Sequence, residues 1–239
     1  MFSTSKFKKI CTLICSLQFL LVSYAHAEDN SLLVSYGTVN QITNDEQAAN
    51  YNPFPWLKPG LLNSARIELK FGSYGVQILA QDQVTGVRLS SLYSEHEGEK
   101  IARTIAFTQY EANINDKLGM AHKEILAGGS IGSTLKKYEF DVKKDLFFKG
   151  LVEDMPDRLQ SLMHTQERAF ATVIYNLVAK EGNNYYPYCT IVEVYSPEFL
   201  TLVDVDQIYP EPIPGSVNPQ NAFDAIDIID RMKQLIIRS

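Results

Sequence analysis

Two pairs of strand-like segments, each closed by a glycine-bearing turn, constrain this chain more than any other feature. Residues 87–93 and 100–108 are rich in Val, Leu, Ile and Thr and meet at Glu97-Gly98-Glu99. Residues 171–180 and 188–195 have the same character and join through Gly182-Asn183-Asn184. β-Branched and aromatic side chains favour a pleated strand, and glycine in a short connection supplies the positive φ that folds one strand back on its neighbour. Residues 76–80 add a strand ahead of the first pair. Strands joined this tightly run antiparallel. Helical signals lie around them: 64–70 with Asn63 or Ser64 as cap, 118–127 ending at Gly128-Gly129, and a short turn over 133–138. At the end of the chain, 221–238 spaces Phe223, Ile226, Ile229, Met232 and Ile236 at helical intervals. The expectation is an α+β domain: an antiparallel β-sheet with helices packed on one side.

Alternation along a strand also predicts which charges face inward. Ile101, Arg103, Ile105 and Phe107 are expected on one face, and Cys189, Ile191, Glu193 and Tyr195 on another. A charge in an apolar row is costly unless it is paired. Arg103 and Glu193 therefore require a partner, each other among the choices, or a ligand.

Gly128-Gly129-Ser130-Ile131-Gly132 matches the G-x-S-x-G pattern of serine hydrolases, in which the serine sits on a strand-to-helix turn. Here the preceding segment reads as helical, so a flexible glycine loop is the simpler expectation; a triad would need Ser130, His164 and Asp141 or Asp154. The histidines at 96, 122 and 164 never occur at metal-ligand spacing, and no dinucleotide or P-loop signature is present. Neither a metal nor a cofactor is expected.

The first 27 residues have the three parts of a secretory signal: Lys6, Lys8 and Lys9, an apolar run over 10–22, and Ala25-His26-Ala27. Cleavage after Ala27 implies export, to the periplasm or beyond the cell; only a retained leader would place the chain at a membrane. Those lysines are the leader's only charges, so the remainder keeps 19 of the 22 basic residues against all 28 acidic ones. Such a balance argues against nucleic acid as a partner, because phosphate neutralisation dominates that affinity. Cys11 and Cys15 leave with the leader, and Cys189 alone cannot form an internal disulfide. The expected organisation is a leader over 1–27, a polar lead-in over 28–55, a domain over 56–205, then a proline-rich linker and amphipathic helix over 206–239. That helix needs an apolar surface, either this domain's or a protein partner's.

Four stretches in this order resemble chorismate lyase and its relatives over residues 56–199. They are Leu61-Leu62-Asn63-Ser64-Ala65; Val87-Arg88-Leu89 with the Gly98-Glu99 turn and Ala102-Arg103-Thr104; Ser130-Ile131-Gly132 with Leu135; and Val192-Glu193-Val194-Tyr195-Ser196-Pro197. The resemblance implies a chorismate lyase-like fold and cofactor-free elimination of pyruvate from chorismate to leave 4-hydroxybenzoate. By position it implies that Arg88 binds a substrate carboxylate, Arg103 supports the site electrostatically, and Glu193 is the acid-base residue. Ile131 and Gly132 would belong to the ligand-binding glycine loop, Ile131 through its backbone N–H. Fixed cations suit a dianionic substrate, and a group that moves a proton assists C–O cleavage. Export would separate the protein from chorismate, a cytoplasmic metabolite, so a non-enzymatic exported ligand-binding or interaction module stands beside the binder or lyase of small aromatic carboxylates, and a hydrolase using Ser130 is the third reading.

Overall fold

Six antiparallel strands form a single sheet in the order β1-β2-β3-β6-β5-β4: β1 Gly75–Asp82, β2 Val87–His96, β3 Glu99–Tyr110, β4 Asp141–Val152, β5 Phe170–Glu181 and β6 Asn184–Tyr195. This computed structural model describes residues 54–210 and 219–239, without the side chains of 219–223. The expected leader, the lead-in up to Pro53, most of the proline-rich linker and the Phe223 side chain lie outside those residues. Residues Phe54–Ser239 make one unit.

The two expected hairpins are the β2–β3 and β5–β6 pairs. Glu97 and Gly98 have φ of 52° and 85°, the two successive left-handed residues that match a tight turn to strand twist. The hairpins then join through β3 and β6, which sets Ala106 opposite Glu193 and Thr104 opposite Tyr195. Strand β4 has no counterpart in the sequence reading. Its charged run Lys143-Lys144-Asp145 obscures an alternation that suits an edge strand paired on one side, with β5.

Helices α1 Asn63–Phe71, α2 Gly119–Leu126, α3 Ile131–Lys137 and α5 Leu202–Ile208 cover one face of the sheet. Helices α4 Asp157–Met163 and α6 Pro219–Arg238 cover the other. The α+β antiparallel architecture is as expected, with the helices divided between both faces. Strand alternation feeds both layers: Cys189, Ile191 and Tyr195 point into the first core, Val192 and Val194 into the second. The long α6 docks on this domain's own sheet through Ala225, Ile228, Ile229, Met232 and Ile236. Ile226, expected on the apolar stripe, is 58% exposed.

A bulge changes the expected face of Arg103. Leu92 pairs with Thr104 while Tyr93 pairs with Ala102, so Arg103 is an extra residue in β3. Ala102, Ile105 and Phe107 belong to the second core, whereas the Arg103 guanidinium stacks 3.9 Å over the Phe71 ring on the first side. The expected row of Ile101, Arg103, Ile105 and Phe107 is thus broken at the arginine.

Candidate functional site

A pocket opens between the first face of the sheet and the helical layer, bounded by the starts of α1 and α3. Sheet and helices meet imperfectly there because polar side chains occupy several of the inward positions. Arg88 reaches it from β2, Lys144 from β4 and Glu193 from β6; Asn63 reaches it from α1, and Ser130, Ile131 and Gly132 from the α3 start. Leu62, Val76, Ala106, Val142, Leu177 and Ile191 make much of the wall apolar. Most ligand pockets combine apolar walls with a few directed polar groups in this way.

Arg88 is 2% exposed, and no carboxylate forms an ion pair with it among the described residues. Its Nε donates to Ser90 Oγ at 2.7 Å, and Nη1 donates to the Ile125 and Gly129 carbonyls at 2.8 and 3.0 Å. These bonds satisfy carbonyls at the end of α2 and hold the guanidinium plane in place. They orient the cation without neutralising it.

Glu193, 4% exposed, is held from three sides. Tyr195 Oη donates to it at 2.8 Å, Asn63 Nδ2 donates at 3.3 Å, and Lys144 Nζ lies 3.6 Å away. Burial pulls the Lys144 ammonium down, but Glu193 and Tyr209 outweigh it and leave the pKa above its ordinary 10.5. The same burial, with Glu193 beside them, pushes the Tyr175 and Tyr195 phenols well above their usual value. Asn63 also donates to Thr104 Oγ1 at 3.0 Å, while its Oδ1 is a buried acceptor with no partner. The arrangement offers a cation with no carboxylate partner among the described residues, and a carboxylate near a buried acceptor that lacks a hydrogen bond.

Of the residues expected at a site, Arg88, Glu193, Ile131 and Gly132 line this pocket together, and Arg103 does not. Arg103 instead pairs with Glu198 and donates from Nε to Ser94 Oγ at 2.7 Å. The two inward charges therefore have separate partners rather than each other. Ile131 and Gly132 open α3 instead of lying within a loop, and Ser130 is its cap residue. Ser130 follows helix α2 and Gly129, so the strand required by a nucleophile elbow is absent there. His164 ends α4, whose Leu159 and Met163 pack in the core on the opposite face, and its Nδ1 lies 4.0 Å from Glu99. The hydrolase geometry is not formed. Cys189 is 1% exposed, and burial raises its thiol pKa well above the usual value, as befits a small apolar core residue.

Two pocket residues beside Glu193 carry no site role in the sequence pattern. That pattern makes Asn63 a candidate helix cap, but Leu62 holds that position and Asn63 turns toward Glu193. Lys144 was hidden in a charged run; the alternation of Val142, Lys144 and Leu146 on the inward face is the signal that finds it.

No protein-family model matches this chain, and no curated protein does. Among solved structures, the chain is similar to the crystal structure of PhnF from Mycobacterium smegmatis. The identity is 14%, with 60% of this chain and 68% of that chain covered, at a TM-score of 0.38.

Proposed function

We propose that this protein is an exported binder of small aromatic carboxylates with a chorismate lyase-like fold, and that pyruvate elimination from chorismate is the specific reaction to test in its pocket. The observation that carries the reading is Arg88, a buried guanidinium without a carboxylate partner among the described residues, in a pocket that also contains Glu193. Strand β3 separates β2 from β6, and Glu193 lies in register with Ser90, two residues along from Arg88, so strand spacing and rise set the α-carbons of the two residues about 12 Å apart across the sheet. One aromatic ring bridges the two side-chain heads across such a span. Its carboxylate accepts hydrogen bonds at the Arg88 end, with the Ile131 N–H as second donor. A ring hydroxyl meets Glu193 and the unpaired Asn63 Oδ1.

In the elimination, a ring carbon loses its proton while the enolpyruvyl C–O bond breaks, leaving the aromatic ring and, after protonation, pyruvate. Glu193 is the group positioned to move that proton. Among the described residues each partner of Glu193 is a hydrogen-bond donor or a cation. That full set of donors favours binding over turnover, and binding is the reading placed first. Export rests on the leader; N-terminal sequencing of protein recovered outside the cytoplasm is expected to begin at Glu28.

Purified protein mixed with chorismate is monitored for 4-hydroxybenzoate by absorbance, and with 4-hydroxybenzoate for thermal stabilisation. Stabilisation without product supports the binder. Product formation that disappears in Glu193→Ala, with folding intact, supports the lyase. Absence of both effects overturns the proposal. Arg88→Met removes a charge-assisted contact of about 1.5–3 kcal/mol and is expected to weaken binding roughly tenfold to a hundredfold.

A further inference from the structure

A second opening lies on the other side of Leu62, and its polar lining is of one sign. Arg66, Lys136 and Lys144 face it with the Tyr209 side chain, between the apolar flanks of Leu61 and Val142. Among the described residues that line it, none is a carboxylate. Arg66 is 3% exposed, and its Nη1 donates to the Trp56 carbonyl, a neutral acceptor. No carboxylate forms an ion pair with it among the described residues. Burial lowers its pKa, with Tyr209, Tyr195 and Glu193 opposing. A buried guanidinium that is oriented but not neutralised is costly in an empty protein and favourable beside an anion. Lys136 is exposed at the rim and lacks an ion-pair partner among the described residues, unlike its neighbour Lys137, which pairs with Glu124. Lys144 completes the set from below, 3.4 Å from Tyr209 Oη.

We infer that this opening is an anion site for a phosphate dianion, adjacent to the Arg88 pocket and sharing Leu62, Val142 and Lys144 with it, but centred on Arg66 and Lys136. Among the described residues two of its three cations form no ion pair with a carboxylate, and the third is shared with Glu193. A dianion matches that excess, whereas a monoanion leaves half of it uncompensated. The planar guanidinium forks onto two oxygens, the lysines supply point charges to the third, and Tyr209 adds a hydroxyl donor. Leu61 and Val142 flank the place where the carbon of a phosphate monoester would emerge. Free phosphate and a monoester share the recognised group. The inference goes beyond the aromatic-carboxylate reading and does not depend on it.

The test is ³¹P line broadening of inorganic phosphate, and separately of phenyl phosphate, titrated with the full-length protein at constant ionic strength. Saturable broadening is expected. Lys136→Ala, an exposed substitution that leaves the core intact, is expected to raise the half-saturating concentration at least about fivefold, the loss of one charge-assisted contact. Arg66→Lys keeps the charge, loses the fork and is expected to do the same. Saturating 4-hydroxybenzoate leaves the broadening in place if the sites are separate. Tighter binding of phenyl phosphate assigns the site to a monoester, and equal binding assigns it to the free ion; either outcome upholds it. Broadening that never saturates, is unchanged in both variants, or is abolished by 4-hydroxybenzoate overturns the inference.

Discussion

Glu193 and Arg103 show how far single residues were legible. Both were singled out because period-two alternation placed a charge in an apolar row. For Glu193 the placement holds: β6 is regular from Cys189 to Tyr195, where it pairs with β3 residue by residue. For Arg103 it fails, because the bulge opposite the Leu92 and Tyr93 step adds a residue that no hydropathy pattern records. Tyr110 carries a prediction at the same scale. Burial pushes its phenol up to about 12, against the pull of Arg88. Between the ordinary value of 10 and about 12, the unfolded chain has released this proton while the folded chain still holds it, so stability falls as pH rises through that window. The loss is about 2–3 kcal/mol by the upper end, and full stability is kept below pH 10. Urea unfolding at successive pH values is expected to show this decline, and Tyr110→Phe to flatten part of it. Tyr74, Tyr175, Tyr188 and Tyr195 shift in the same direction and add to the decline. An unchanged slope in the Phe variant would sink the assignment.

At the scale of elements, the hairpins were readable because their turn chemistry is local, and β4 was not, because an edge strand is stabilised by its neighbour rather than by its own composition. Helix α6 lies between these cases. Its 3.6-residue periodicity is evident in the sequence, yet the choice between a partner and the parent domain depends on which sheet residues lack a cover. Val87, Leu89, Phe107, Ile174 and Val194 point away from the first helical layer and need one. Met232 is fully buried in the resulting core. Met232→Ala removes most of that side chain from a packed setting, and cores of this kind lose about 2–5 kcal/mol for such a change. If α6 is integral to the domain, equilibrium denaturation of the variant shows that loss in a single transition. A change below about 0.5 kcal/mol, the range of ordinary surface substitutions, would mean that the helix is a detachable appendage.

At the scale of the whole molecule, the field and the pocket have opposite signs. The chain has a formal charge of −6, which cleavage of the proposed leader with its three lysines would make −9, while the pocket contains Arg88, unpaired with any carboxylate among the described residues, beside the Lys144–Glu193 pair. Net charge acts at a distance and is screened by salt; a contact with a side chain only 2% exposed is screened far less. The carboxylate ligand proposed above would therefore approach against a repulsive field and be held by a local attractive one. Raising ionic strength from about 0.02 M to about 0.3 M shortens the screening length from roughly 20 Å to roughly 6 Å, removing most of the repulsion while leaving the Arg88 contact almost intact. In stopped-flow measurements with 4-hydroxybenzoate, the association rate is expected to rise with salt and the dissociation rate to stay nearly constant. An attractive surface funnel predicts the reverse, an association rate that falls steeply with salt. That outcome would place ligand capture on an exposed basic surface rather than in the enclosed site built around Arg88 and Glu193.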